Sequence, residues 1–284
     1  MKAFFETLRM IKIEHSVFAL PFALVSAFLA ADGVPDLKTL ILILVAMVSA
    51  RSAAMAFNRY LDAEIDARNP RTQIRSIPAG RLSKSYVLAF TIGSIVVFVA
   101  ACYFLNFLSW VLSPVVMLVL LGYSYTKRFT PLCHLVLGLA LGLAPVGAWV
   151  AVTGTLDWIP VLLGVTVMFW TAGFDIIYAC QDEAFDRQHK LHSIPVMIGV
   201  SNSLCLSRFL HLLSFILLMG FGYLLSFMWI YWAGLVLVGV TLFYEHYLVR
   251  GDDLSKVNMA FFTMNGVVSL VFGGMTIAAL LVAL

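Results

Sequence analysis

The chain is poor in charge. Only 12% of its 284 residues are Asp, Glu, Lys or Arg, where a soluble globular chain carries about a quarter. Hydrophobic residues make up 62%, and the mean hydropathy is +0.98. That shortage excludes a cytosolic enzyme, a disordered chain and a nucleic-acid binder, and leaves an integral membrane protein. Cysteine is scarce as well. Cys102, Cys133, Cys180 and Cys205 stand singly with no CxxC, so neither a disulfide framework nor a zinc site is expected. The ten-residue alternation of a membrane barrel strand is also missing, and lipid leaves no partner for open strand edges, so the spans are helices. The net charge of +3 is too small to imply a polyanionic partner.

What remains is apolar runs. A helix crossing a hydrocarbon core of about 30 Å needs about 20 mostly apolar residues. Cutting at the polar breaks gives nine spans, at 15–31, 38–58, 86–106, 108–125, 134–153, 159–179, 204–224, 227–248 and 258–283. The first follows a charged N-terminus, and with eight more behind it reads as a retained helix rather than a cleaved signal. The expected architecture is therefore an all-α membrane protein in a single domain spanning 1–284. Of the 18 Lys and Arg residues, 17 fall on one face of this bundle and only Lys38 on the other. The positive-inside rule makes the first face cytoplasmic, with the N-terminus on it, in a multi-pass protein of the cell inner membrane. Trp110, Trp149, Trp158, Trp229 and Trp232 fall near the opposite interface, as aromatic belts do.

Carboxylates collect on the basic face. Asn58, Asp62 and Asp66 are spaced i, i+4, i+8 and stack on one helix face, about 6 Å per turn, with Arg51 deeper along the same face. Asp175, Tyr178, Asp182 and Asp186 form a second such face at the end of the sixth span. Each group is followed by Ser-Ile-Pro, at 76–78 and 193–195, and the segments 51–80 and 171–199 read as an internal duplication. Like charges one turn apart destabilise a helix, and a charge at the bilayer centre costs about 2.5–3.5 kcal/mol on insertion scales. Hard oxygen donors on two opposed helices suit Mg²⁺, which binds one or two carboxylates plus phosphate oxygens. Arg71, Arg75 and Lys127 follow closely, and cations of this kind suit the remaining oxygens of a diphosphate. Glu64 and Glu183, off the main faces, read as solvated interfacial residues. Arg81, Lys84 and Arg128 read as topology determinants, and Gly138-x3-Gly142 as helix packing. His15, His134, His189, His211 and His246 have no ligand spacing.

At this point two motifs become recognisable. Asn58-Arg59-Tyr60-Leu61-Asp62-Ala63-Glu64-Ile65-Asp66, continuing through Pro70-Arg71-Thr72 and Arg75-Ser76-Ile77-Pro78-Ala79-Gly80, resembles the first aspartate-rich motif of the UbiA superfamily of intramembrane prenyltransferases. Gly173-Phe174-Asp175-Ile176-Ile177-Tyr178-Ala179-Cys180-Gln181-Asp182, through Asp186-Arg187 and Leu191-His192-Ser193-Ile194-Pro195, resembles the second. The Tyr123–Arg128 loop and the opening Ile11–His15 match too. The nearest likeness is to the 4-hydroxybenzoate polyprenyltransferase branch, including relatives in alternative menaquinone pathways.

The resemblance implies nine transmembrane helices around a central cavity. It implies Mg²⁺-dependent transfer of a polyprenyl group from polyprenyl diphosphate to an aromatic acid in quinone biosynthesis. Asn58, Asp62, Asp66, Asp182 and Asp186 would hold metal and diphosphate. Arg71, Arg75, Lys127 and Tyr123 would contact the diphosphate, with Tyr178 beside them. Arg51 would face the acid's carboxylate, and Asp175 would support the site or accept a proton. Arg59 and Ser76 depart from the pattern, standing where many members carry Asp and Pro. Two alternatives stay open: a dihydroxynaphthoate acceptor, and an ion-coupled secondary transporter. No protein partner is evident beyond membrane lipid.

Overall fold

The computed structural model describes residues 2–12 and 18–283, and every regular element among them is helical. A short amphipathic helix α1 (Lys2–Ile11) precedes α2 (Leu20–Ala30) and the long α3 (Leu37–Leu61). After the short α4 (Ala63–Arg68) come α5 (Lys84–Leu105), α6 (Phe107–Thr126), α7 (Cys133–Thr153) and α8 (Trp158–Ala179). A 3₁₀ turn (Cys180–Asp182) leads into α9 (Glu183–Gln188), then α10 (Ile194–Ile198), α11 (Val200–Leu224) and α12 (Trp229–Leu248). A π-helical turn (Met259–Met264) opens α13 (Asn265–Ala283).

Polar residues punctuate the apolar chain at these boundaries. Asp36, Ser83, Asn106 and Asp157 each cap the following helix by accepting from a backbone N–H, which would otherwise have no partner in lipid. Asn106 also separates α5 from α6 and donates to the carbonyls of Val150 and Ala151 on α7, at 2.7 and 3.1 Å.

Among the described residues seven helices are long and apolar enough to cross a membrane. Trp229–Leu248 has the length, but Glu245 and His246 in its last turn leave it short of that apolarity. The first expected span, 15–31, corresponds to the eleven-residue α2, while residues 15–17 lie outside the described residues. The sixth continues past its expected end, because the 3₁₀ turn and α9 carry the segment to Gln188.

α8 is the central strut. Its most apolar stretch is 61% buried, against 17% for α6, whose outer face presents Val111, Val115 and Leu118 to the surroundings. α7 packs against α8 backbone to backbone. A Cβ on Gly138 would strike the Met168 carbonyl, and one on Gly142 the Gly164 carbonyl, so the Gly-x3-Gly pair serves helix packing. An aromatic core of Phe18, Phe22, Trp170, Phe174, Phe221, Tyr231 and Phe272 fills the space between α2, α8, α11, α12 and α13. At the π-helical turn, Asn265 Nδ2 donates to Glu245 Oε1 at 2.9 Å and to the carbonyls of Ala260 and Phe261. The turn thereby holds Phe261 against the Tyr178 ring, with centroids 4.3 Å apart.

Candidate active site

The two acidic segments take related local forms. α3 breaks at Asp62, yet the backbone bonds Asp62 N to Asn58 O (2.9 Å) and Asp66 N to Asp62 O (2.7 Å) carry the helical register across the joint. Asn58, Asp62 and Asp66 therefore stay in one column. On the other side, α8 tightens into the 3₁₀ turn before α9 and delivers Tyr178, Asp182 and Asp186 from the facing wall.

Both walls line one polar cavity of about 280 Å³. Arg51, Asn58, Asp62, Asp66, Arg71, Arg75, Tyr123, Lys127, Asp175, Tyr178, Asp182 and Asp186 all face it. Glu64 and Glu183 do not. They pair at the periphery with Lys84 (3.1 Å) and Arg187 (2.5 Å).

Each carboxylate in the cavity has a cationic or imidazole partner. Arg75 Nη1 grips both oxygens of Asp66 at 2.6 and 2.8 Å. Lys127 Nζ lies 2.9 Å from Asp186, and Arg128 Nη2 lies 2.8 Å from Asp62. Arg71 crosses the cavity: Nε and Nη2 bond Asp182, and Nη1 donates to the Tyr178 hydroxyl at 2.8 Å. Asn69 supports the crossing by donating to Asp182 Oδ1 and accepting from the Arg71 backbone N–H. His134 Nδ1 meets Asp175 Oδ2 at 2.7 Å. Burial pushes the Asp62 carboxyl above the ordinary carboxylate range, with Arg128 opposing it. Burial alone would lower the Arg71 guanidinium, but its bonds to Asp182 and Tyr178 reverse that and hold it charged.

A second cavity, about 390 Å³ and lined almost wholly by apolar side chains of α3, α5, α6 and α7, adjoins the first. Arg51, Met55, Tyr123, Leu137 and Leu141 border both. A charged cavity thus borders an apolar trough, with one arginine and one tyrosine at the junction.

Residues 19–267 match the UbiA prenyltransferase family. The chain belongs to that family. It is accordingly an enzyme, a prenyltransferase, and not the secondary transporter that the expected duplication and intramembrane acids also allowed. Curated relatives include a 4-hydroxybenzoate octaprenyltransferase of Aeromonas salmonicida, 32% identical over 260 residues (89% of this chain and 88% of the relative). Another, from Aliivibrio fischeri, is 30% identical over 271 residues (95% and 94%). A UbiA homologue from Aeropyrum pernix superposes with a TM-score of 0.85 at 32% identity, over 94% of this chain and 98% of that one. A UbiA homologue from Archaeoglobus fulgidus, bound to GPP and Mg²⁺, shares the fold with a TM-score of 0.77 at 20% identity, over 97% and 99% of the two chains.

Within this UbiA-family site, sequence reasoning passed over Asn69, Arg128 and His134. Arg128 stands beside Lys127 on the same loop, and its bond to Asp62 spans 66 residues of sequence. His134 lies in the first turn of α7, 41 residues from Asp175, so no local spacing links them. The one available signal was that both sit next to polar breaks on the basic face of the bundle. Arg59, the departure from the family pattern, lines the cavity and donates to Asn58 Oδ1 at 3.2 Å. Glu14 and His15 of the opening motif lie outside the described residues.

Proposed function

We propose that this enzyme moves a polyprenyl group from polyprenyl diphosphate to an aromatic acid of the 4-hydroxybenzoate type, with Mg²⁺, in the quinone pathways of the cell inner membrane. One observation carries the reading: a cavity lined by paired acids and cations opens, at Arg51 and Tyr123, into an apolar trough.

The donor set fits Mg²⁺. Asp62 and Asp66 on one wall and Asp182 and Asp186 on the other offer hard oxygens, with Asn58 adding an amide oxygen. Among the described residues no three acidic, His or Cys side chains are grouped so as to hold a metal ion by themselves. Mg²⁺ needs only one or two carboxylates from the protein and completes its octahedron with water and substrate phosphate. Bound there, the ion would neutralise charge building on the departing diphosphate. Arg71, Arg75 and Lys127, held in place by their aspartates, then reach the diphosphate oxygens. The allylic C–O bond breaks with its electron pair leaving on the diphosphate. A ring π pair attacks the allylic carbon, and Asp175 takes the proton from the same ring carbon, returning the C–H pair to the aromatic system. Arg51 holds the acid's carboxylate, which orients the ring. The apolar trough houses the prenyl tail and keeps water from the reactive allylic cation.

The test uses purified protein in lipid nanodiscs with a polyprenyl diphosphate, Mg²⁺, and either 4-hydroxybenzoate or a dihydroxynaphthoate. Mass spectrometry should find the prenylated hydroxybenzoate together with stoichiometric pyrophosphate. Prenylation of the naphthoate alone would overturn the acceptor assignment, and no product with either acid would overturn the whole reading.

A further inference from the structure

His134 is the second residue of α7, and its ring is almost wholly buried at the edge of the cavity. One partner is fixed chemically. The backbone N–H of Ile194 donates to Nε2 at 3.3 Å, and a backbone amide cannot accept. Nε2 is therefore the acceptor, and the ring hydrogen sits on Nδ1, which faces Asp175 Oδ2 at 2.7 Å. Among the described residues the other Asp175 oxygen, Oδ1, takes no hydrogen bond, and the residue faces the cavity.

The frame behind the imidazole is rigid. Ser193 caps α10 by accepting from Val196 N–H, which seats Ile194 at the helix start. His192 N donates to the Lys127 carbonyl at 2.8 Å, and the Cys133 thiol lies 3.6 Å from the His192 carbonyl. The Ser-Ile-Pro segment after the second acidic group thus supplies the amide that sets the tautomer of His134.

We propose that His134 is a positioning residue for proton removal: it locks one Asp175 oxygen and leaves the other aimed at the acceptor ring. The inference rests on Asp175 being the ring-proton acceptor proposed above. The protein's ring N–H stays on His134. In the step itself a ring C–H bond breaks, an O–H bond forms on Asp175, and the C–H pair returns to the ring. Losing the lock lets the carboxylate rotate, which slows proton removal while leaving diphosphate binding to Arg71, Arg75 and Lys127.

The test compares His134→Ala, His134→Asn, His134→Gln and Asp175→Asn as full-length proteins in nanodiscs. The acceptor carries hydrogen or deuterium at the ring carbon that receives the prenyl group. Asp175→Asn should lower kcat by about 10² to 10⁴. His134→Ala should lower it at least about tenfold, with KM for prenyl diphosphate within about twofold and a raised deuterium effect. His134→Asn places an amide N–H near the position of Nδ1 and should recover most of the loss. His134→Gln, whose donor falls nearer Nε2, should not. An unchanged deuterium effect in His134→Ala, or equal activity of the Asn and Gln variants, overturns the positioning role. If His134→Ala fails to fold, the Asn and Gln pair still decides. Wild-type kcat in Asp175→Asn overturns the base assignment, and the inference with it. A deficient Asp175→Asn beside a wild-type His134→Ala overturns the inference alone.

Discussion

Arg71 is the strap between the two acidic walls, and its removal gives a quantitative test of the site as built. Its guanidinium spends two N–H groups on Asp182 and one on the Tyr178 hydroxyl, and lies 5.0 Å from the centroid of that ring. The Asp182 side chain is only 10% exposed, while that of Arg71 is 31% exposed. Removing one partner of a fully buried pair costs about 3–5 kcal/mol because the other charge is stranded. Partial solvent access to Arg71, and the Asn69 amide that remains on Asp182 Oδ1, bring the expected cost of Arg71→Ala down to about 2–3 kcal/mol. Arg71→Lys keeps a charge but loses the fork and the Tyr178 contact, and should cost about 1–2 kcal/mol. The assay is a double-mutant cycle on substrate-free protein, with unfolding free energies of Arg71→Ala, Asp182→Asn and the double variant measured in mixed micelles. Without substrate present, the cycle isolates the strap from any role in binding diphosphate. A coupling of about 1.5 kcal/mol or more is expected from two charge-assisted hydrogen bonds. Additivity within about 0.5 kcal/mol would show that the walls are not joined through this pair.

Three further outcomes follow from the same geometry. Asp62→Asn and Asp182→Asn should each abolish turnover while leaving the chain inserted, and chelating divalent metal should do the same to the unsubstituted enzyme; pyrophosphate release that survives both substitutions would remove the metal assignment. Arg51→Ala, at the junction of the cavities, should raise KM for the aromatic acid at least about tenfold with little change for the prenyl diphosphate, the loss expected for one charge-assisted bond; equal rises for both substrates would place the arginine elsewhere in the reaction. Gly173→Ala would drive a Cβ into the His211 ring, which is held by the Trp170 carbonyl and His246, and should destabilise the chain by about 1–3 kcal/mol as overpacking does. Thermal unfolding in detergent reads this, and an unshifted midpoint would show that the α8–α11 contact yields easily.

The helices were legible because lipid makes the code simple: a long apolar run has to be a helix, and polar caps have to interrupt it. The break between the third and fourth expected spans holds the cap Asn106, and the gap before the sixth holds the cap Asp157. The acidic columns were legible because i, i+4 spacing survives even where the helix does not stay regular, as at Asp62. Partnerships across the cavity were not. Nothing local distinguishes Arg128, which bonds Asp62, from Arg81, which bonds Glu6 at the periphery. Both are basic residues near the ends of spans, and only tertiary placement separates an electrostatic partner from a topology signal. The apolar trough was equally hidden, since Val, Leu and Phe facing a cavity read the same as those facing lipid.

The sign of the cavity explains why so many cations accompany the aspartates. Its lining holds Lys12, Arg51, Arg59, Arg71, Arg75, Lys127 and Arg128 against Asp62, Asp66, Asp175, Asp182 and Asp186, seven positive side chains against five negative among the described residues. An acid-rich pocket would attract cations and repel a diphosphate. This one carries a surplus of two positive charges before any ion is counted, and low-dielectric walls focus that field on whatever enters. Arg59 is one of the seven positive side chains. With Asp at that position, as in the pattern the first motif resembles, the count would stand at six against six. Arg59 in place of Asp thus gives the first wall one potential carboxylate ligand fewer and one cation more.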